Sequence, residues 1–146
     1  MIKIKTYSED LYEDVVRVFA NARVNDRLIF GNDIEAAVKL HIEKSCEMNV
    51  AYNDEEPIAI FGLTDRIPIG AYRYQAYVVG TDRLFGCRKS FVSIGREILK
   101  GWLEKYGRLY IMTWHFYKQS FTMTKAFGFK LKMNLGDFDI YVKEGE

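Results

Sequence analysis

Between residues 72 and 114 the hydrophobic period of the chain changes twice, and this restricts the fold more than any other feature. Tyr72 to Thr81, YRYQAYVVGT, reads as a strand. Beyond the turn-like DRLFGCRKS, residues Phe91, Ile94, Ile98 and Trp102 recur at intervals of three and four, with Leu99 and Tyr106 widening the stripe. That spacing predicts a helix over about 88–105. RLYIMTW, 108–114, follows directly as another strand. A strand, a helix and a strand in immediate succession predict a crossover, with the strands at 72–81 and 108–114 running parallel. Gly95 and Gly101 lie inside the helix, at a propensity cost of about 1 kcal/mol each. Close approach to the sheet explains either.

The flanking segments supply the other layers. IKIKT, residues 2–6, alternates as a half-buried strand. Ser8 precedes Glu9 and Asp10, an N-cap followed by acids, and Leu11, Val15, Val18, Phe19 and Ala22 give a helix over about 9–23. Residues 24–32 break the period. Asn32 with Glu35 forms a capping-box pair for a second helix carrying Ile34, Ala37, Val38 and Ile42. His41 lies beside that stripe, where packing at the core edge outweighs a ligand role. Cys46–Tyr52 and the run after Pro57 read as a hairpin around an acidic turn, 65–71 as a further turn, and the three strands up to residue 81 as an antiparallel meander. A fourth helix over about 117–127 stops at Gly128, and KLKMNL and DFDIYV close the chain as a hairpin at Gly136-Asp137. The order is β, α, α, β, β, β, α, β, α, β, β.

Composition excludes several classes. Lys plus Arg number 21 against 20 Asp plus Glu, so the net charge of +1 gives no general reason to bind nucleic acid or an anionic membrane. Length, 146 residues with 49% apolar, suits a single domain over 1–146. The N-terminus has no apolar signal segment, and no run of about 18 apolar residues occurs, which predicts a protein of the cytoplasm. Cys46 and Cys87 read as two ordinary thiols of a reducing compartment, with one disulfide left open. His41 and His115 are the only histidines and lack metal-ligand spacing, so no metal is expected. Neither a nucleophile elbow nor a P-loop is present. The aromatic content of 15% fits a small sheet packed with large rings, or an added binding face.

The element order, with KAFGFK at 125–130 carrying Gly128-Phe129 after the last helix, resembles the GCN5-related N-acetyltransferase (GNAT) fold over nearly the whole chain. The resemblance implies an α/β (α+β) architecture, a mixed central sheet with helices on both faces, and acetyl-CoA as cofactor for transfer to an amine. A narrower resemblance covers roughly residues 76–143. CRKSFVSIGREILKGWLEKYGRLYIMTW, the short helix, the Gly-Phe turn and the final hairpin are similar to a small internal virion or assembly protein of T7-like podophages. It implies phage origin, a phage or host protein as partner, and a place in the host cytoplasm or the virion, with no chemistry attached.

In the GNAT family a Q/R-x-x-G-x-G/A loop at the start of the long helix holds the cofactor pyrophosphate on backbone N–H groups. The matching residues here are Arg83, Gly86 and, in place of the second small residue, Arg88. The resemblance thus assigns cofactor binding to Val79, Arg83, Gly86, Arg88 and Lys89. Arg88 either grips the phosphates or crowds them, and three basic residues in seven equally suit a solvated turn. The family's general acid is a tyrosine four residues before the Gly-Phe glycine; the residue here is Thr124, a poor proton donor to a thiolate. Tyr110 and Tyr117 are near in sequence but off that position. For a general base the candidates are His115 and Asp82, expected at the same edge of the sheet. His115 sits in WHFY, where an imidazole can also simply pack. Neither cysteine has an activating context in the sequence, although Cys87 stands beside Arg88 and Lys89, cations of the kind that lower a thiol pKa.

Overall fold

In a computed structural model, residues 1–23, 31–115 and 118–145 are described, without the side chains at 66, 67 and 118–121. Most of the expected break over 24–32, and Tyr117, lie outside the described residues. The elements are β1 (Ile2–Thr6), a 3-10 turn (Glu9–Leu11), α1 (Tyr12–Ala20), α2 (Ile34–Lys44), β2 (Ser45–Asn53), β3 (Glu56–Ile69) and β4 (Tyr72–Gly80). A 3-10 segment (Asp82–Cys87) then leads into α3 (Arg88–Tyr106), β5 (Arg108–Trp114), α4 (Lys118–Ala126), β6 (Lys130–Leu135) and β7 (Phe138–Glu144). The sheet has seven strands in the order β1-β2-β3-β4-β5-β7-β6. Its β4 and β5 are parallel, joining Tyr74 to Leu109 and Gln75 to Tyr110, as the crossover through α3 requires. The pairs β1–β2, β2–β3, β5–β7 and β6–β7 are antiparallel, so the sheet is mixed.

Two compact units divide the chain, Met1–Thr64 with Tyr77–Arg88, and Asp65–Ala76 with Lys89–Glu146. The first is built on the apolar face of α1. Val15, Val18 and Phe19 are fully buried with Val38 of α2, Val50 of β2 and Ile60 of β3. Removing those side chains from water supplies the drive to dock the helices on the sheet. One polar contact seats α1 as well: Tyr52 Oη donates to Asp14 Oδ2 at 2.7 Å, and burial, reinforced by that bond, pushes the phenol pKa up. The β2–β3 turn has positive φ at both Asp54 and Glu55, the handedness that matches the twist of paired strands.

Two sequence expectations in these segments need correction. The cap of α2 is Asp33, not Asn32: its Oδ1 accepts from Ala36 N at 3.0 Å, so the helix starts one residue later. The expected turn over 65–71 is instead the end of β3, a 14-residue strand running to Ile69, with the reversal confined to Gly70 and Ala71. Arg73 fastens it, donating from Nε and Nη2 to the two oxygens of Asp65 at 2.9 and 2.7 Å.

The second unit rests on the buried face of α3, where Phe91, Val92, Gly95, Leu99 and Trp102 are covered. Gly95 is needed for Phe127, not for the sheet: a Cβ there would lie 2.5 Å from Phe127 Cε1. Gly101 has nothing within 4 Å of a Cβ, so close approach does not explain it. At the end of α4, Gly128 adopts φ +89, Gly128 N bonds Lys125 O at 2.9 Å, and Phe129 N bonds Thr124 O at 3.3 Å. This is a Schellman termination, and it accounts for the Gly-Phe pair. The last carbonyls are also met by cations. Arg96 donates to Ala126 O from Nε and Nη2 at 2.9 and 2.6 Å, and Lys143 Nζ donates to Phe127 O at 2.9 Å. Both carry the sign that a helix C-terminus favours.

Candidate functional site

The segment leading to α3 belongs to the first unit up to Arg88. Val79, 4% exposed, packs its side chain in the core, so any part in holding a ligand falls to its backbone. Thr81 is tied twice to Ile58 O, by its N–H at 3.0 Å and its hydroxyl at 3.1 Å. Leu84 is fully buried and fills the space left by Gly80, whose Cβ would stand 2.7 Å from Leu84 Cδ2. These anchors turn the chain into the 3-10 segment and place Asp82, Arg83 and Gly86 on its exposed side.

Arg83 is mostly exposed and forms an ion pair with Glu56. At Gly86 a Cβ would meet nothing within 4 Å, so a ligand could approach the backbone there. Helix α3 then opens with Arg88 and Lys89, both exposed, and no acid stands in its first turn. Cations at a helix N-terminus oppose the helix dipole, and an anion there relieves both. The Arg88 N–H is already bonded to Phe85 O, which leaves one fewer backbone donor for a phosphate.

Cys87 is not an activated thiol. Burial pushes its thiol pKa up, and Sγ lies 3.5 and 3.6 Å from the carbonyls of Arg83 and Leu84, contacts that favour the protonated form. The neighbouring Arg88 and Lys89 do not reverse that balance. Cys46 and Cys87 are both unbridged.

In the second unit, His115 follows the last residue of β5. Its backbone N bonds Asp137 O at 2.8 Å, extending the β5–β7 ladder by one step. Its Nδ1 lies 3.1 Å from both carboxylate oxygens of Asp139. Asp139 is 7% exposed, and Asn134 Nδ2 donates to its Oδ1 at 2.9 Å. That bond, followed by His115, holds the carboxyl below the ordinary aspartate range. The imidazole side chain itself is 54% exposed. An ionised carboxylate, an amide anchoring it and an accessible ring form a unit able to accept and hold a proton. Asp139 and Asn134 were not identified from sequence, although an aspartate between Phe138 and Ile140 in a strand was the available signal.

Asp82, the other candidate base, is exposed in the first turn of the 3-10 segment and belongs to the first unit. Thr124 is 3% exposed, and Tyr110, at 2%, is packed with Tyr72 and Ile140 in the core. His41 is packed edge-on between Phe19 and Tyr77, with Nδ1 2.8 Å from Ala37 O. Among the described residues, no group of three or more His, Cys, Asp or Glu is arranged to hold a metal ion, and no helix is long and apolar enough to cross a membrane.

No protein-family model matches the chain, and no curated protein matches it in sequence. Solved structures do match. The PaiA N-acetyltransferase of Thermoplasma acidophilum, in complex with coenzyme A, superposes with a TM-score of 0.69 at 14% identity over 99% of this chain and 99% of that one. The Campylobacter jejuni N-acetyltransferase PseH, in complex with acetyl coenzyme A, gives 0.64 at 15% identity over 100% of both chains. A Pyrococcus horikoshii protein gives 0.73 at 17% identity over 100% of this chain and 99% of that one. The fold is therefore the GNAT fold: a mixed central sheet flanked by helices.

Proposed function

We propose that the chain is an acyl-CoA-dependent N-acyltransferase, acting as one domain in the cytoplasm and passing an acetyl group from acetyl-CoA to an amine. The observation that carries this reading is the start of α3. A 19-residue helix opens on Arg88 and Lys89 with no acid in its first turn, beside a glycine whose missing side chain leaves open space. Residue types and backbone there suit a pyrophosphate. The likeness to structures holding coenzyme A and acetyl coenzyme A supports that ligand class. Arg83, Gly86, Arg88 and Lys89 would bind the anion, and Val79 would contribute backbone alone. The cofactor would supply an activated acyl carbon. His115 is the better base for freeing the amine lone pair, because its ring is accessible and its partner is an ionised carboxylate. Asp82 has no comparable support.

A second reading is favoured by a specific pair of observations. Thr124 replaces the family's phenol and is buried, and Arg83 is paired with Glu56. Both suit a non-catalytic protein that keeps the fold without the reaction, and it is the sequence resemblance alone that would make it a protein of phage assembly or host interaction. Calorimetric titration with acetyl-CoA separates the two: micromolar affinity supports the transferase, and no heat at millimolar cofactor supports the non-catalytic protein.

A further inference from the structure

We infer that Asp139 is a positioning residue for His115: it fixes the ring with its proton on Nδ1 and its lone pair on Nε2, so that Nε2 is the atom offered to an amine substrate. The use of that lone pair rests on the acyltransferase reading; the positioning does not.

The tautomer follows from the partners. Asp139 is ionised over the physiological range, so its oxygens only accept hydrogen bonds. Nδ1 stands 3.1 Å from each of them. An unprotonated Nδ1 at that distance would set lone pair against lone pair, whereas Nδ1–H donates to the carboxylate. The neutral ring therefore carries its lone pair on Nε2. The carboxylate is itself held, since Asn134 Nδ2 spans Asp139 Oδ1 at 2.9 Å and Phe138 O at 3.1 Å.

Strand register places the pair. Asp139 is opposite Thr113 and Phe138 opposite Trp114, and the His115 N–H reaches Asp137 O as the next rung. The carboxylate thus stands on β7, and the ring one residue past β5 where the same ladder is extended by a backbone bond. The step assigned to the pair is one proton transfer. A substrate ammonium gives one proton to Nε2, the pair becomes imidazolium and carboxylate, and the amine is left neutral with its lone pair available for the acyl carbon.

The test is nitrogen NMR on protein labelled at histidine, at about pH 8. There are only two histidines to assign, and His115→Gln identifies the signals. The expected result is a protonated Nδ1 and an unprotonated Nε2 at His115, with Asp139→Ala shifting the ring toward the Nε2–H form that dominates in free histidine. Wild-type protein with the proton on Nε2 overturns the positioning, and this holds even if the variant fails to fold. An unchanged Nδ1–H form in folded Asp139→Ala overturns it too. Titration with acetyl-CoA reads the other half separately: no binding with the tautomer as expected overturns the amine role and leaves the positioning in place.

Discussion

Lys143 reaches from β7 to the end of α4, where its Nζ donates to Phe127 O at 2.9 Å and occupies the place a side chain at Gly128 would need. The glycine of the Gly-Phe pair is therefore required by a left-handed backbone at φ +89, and a side chain there would in addition displace the end of the Lys143 side chain from its bond to Phe127 O. Gly128→Ala is expected to destabilise the fold by about 2 kcal/mol, of which the left-handed conformation accounts for about 1–2. In a Lys143→Met background the same substitution should cost less, because the collision is gone and the backbone strain remains. Urea denaturation of the four proteins measures the coupling; equal costs in both backgrounds would show that Lys143 exerts no steric constraint.

The two glycines of α3 should behave oppositely. A methyl group at Gly101 meets open space, so Gly101→Ala is expected to stabilise by up to about 1 kcal/mol through helix propensity alone. At Gly95 the same methyl group presses on the Phe127 ring, which also packs edge-on against Phe91 at 6.0 Å between centroids. Gly95→Ala is expected to lose about 1–3 kcal/mol by overpacking. Thermal melts of both variants check the signs, and a stabilised Gly95→Ala would mean that Phe127 swings aside freely.

That contrast marks what was legible in the sequence. Periodicity located α3, and the adjacency of α3 and β5 predicted the parallel pair, because both are local signals. Which glycine faces a neighbour was not legible, since Phe127 lies 32 residues beyond Gly95. The end of β3 was read as a turn because Pro68 and Gly70 are strong breakers, while the strand's continuation to Ile69 and its ion pair between Arg73 and Asp65 depend on tertiary placement. In the candidate site His115 was visible as a residue type. Its partner Asp139 is set by the β5–β7 register, which a single sequence does not carry.

Asp139 should leave a signature in acid. Its carboxyl is held below the 3.8 of an ordinary aspartate, first by the Asn134 hydrogen bond and then by His115. A group whose folded pKa is depressed contributes stability that is fully present above its unfolded pKa and is lost as pH falls through the folded value. The advantage of wild type over Asp139→Asn is therefore expected to be full at about pH 6 and to shrink below about pH 4. Denaturant midpoints of the two proteins across that range provide the comparison. A gap that does not narrow toward low pH would mean the ionised carboxylate is not what stabilises the strand pair.

Arg88 separates an anion cradle from an eroded one. It occupies the position kept small in the resembling loop, it opens α3, and its N–H is bonded to Phe85 O. If its guanidinium grips a pyrophosphate, Arg88→Ala and Arg88→Gly should both weaken acetyl-CoA binding, by about 1–3 kcal/mol for charge-assisted hydrogen bonds. If the side chain instead blocks the approach of phosphate to backbone, Arg88→Gly should strengthen binding or create it, because charge is lost but access is gained. Arg83→Ala is the companion measurement. Its guanidinium pairs with Glu56, so a role in binding requires it to exchange that carboxylate for a phosphate. Calorimetry on the three variants decides. Tighter binding with glycine identifies an obstruction, parallel weakening identifies a ligand, and three unchanged affinities would make the loop a solvated turn and move the anion site elsewhere. The exposed side chain of Arg88 at the start of α3 and the open space at Gly86 favour the ligand, so the expected outcome is that Arg88→Ala and Arg88→Gly both bind acetyl-CoA more weakly than the protein with its natural arginine.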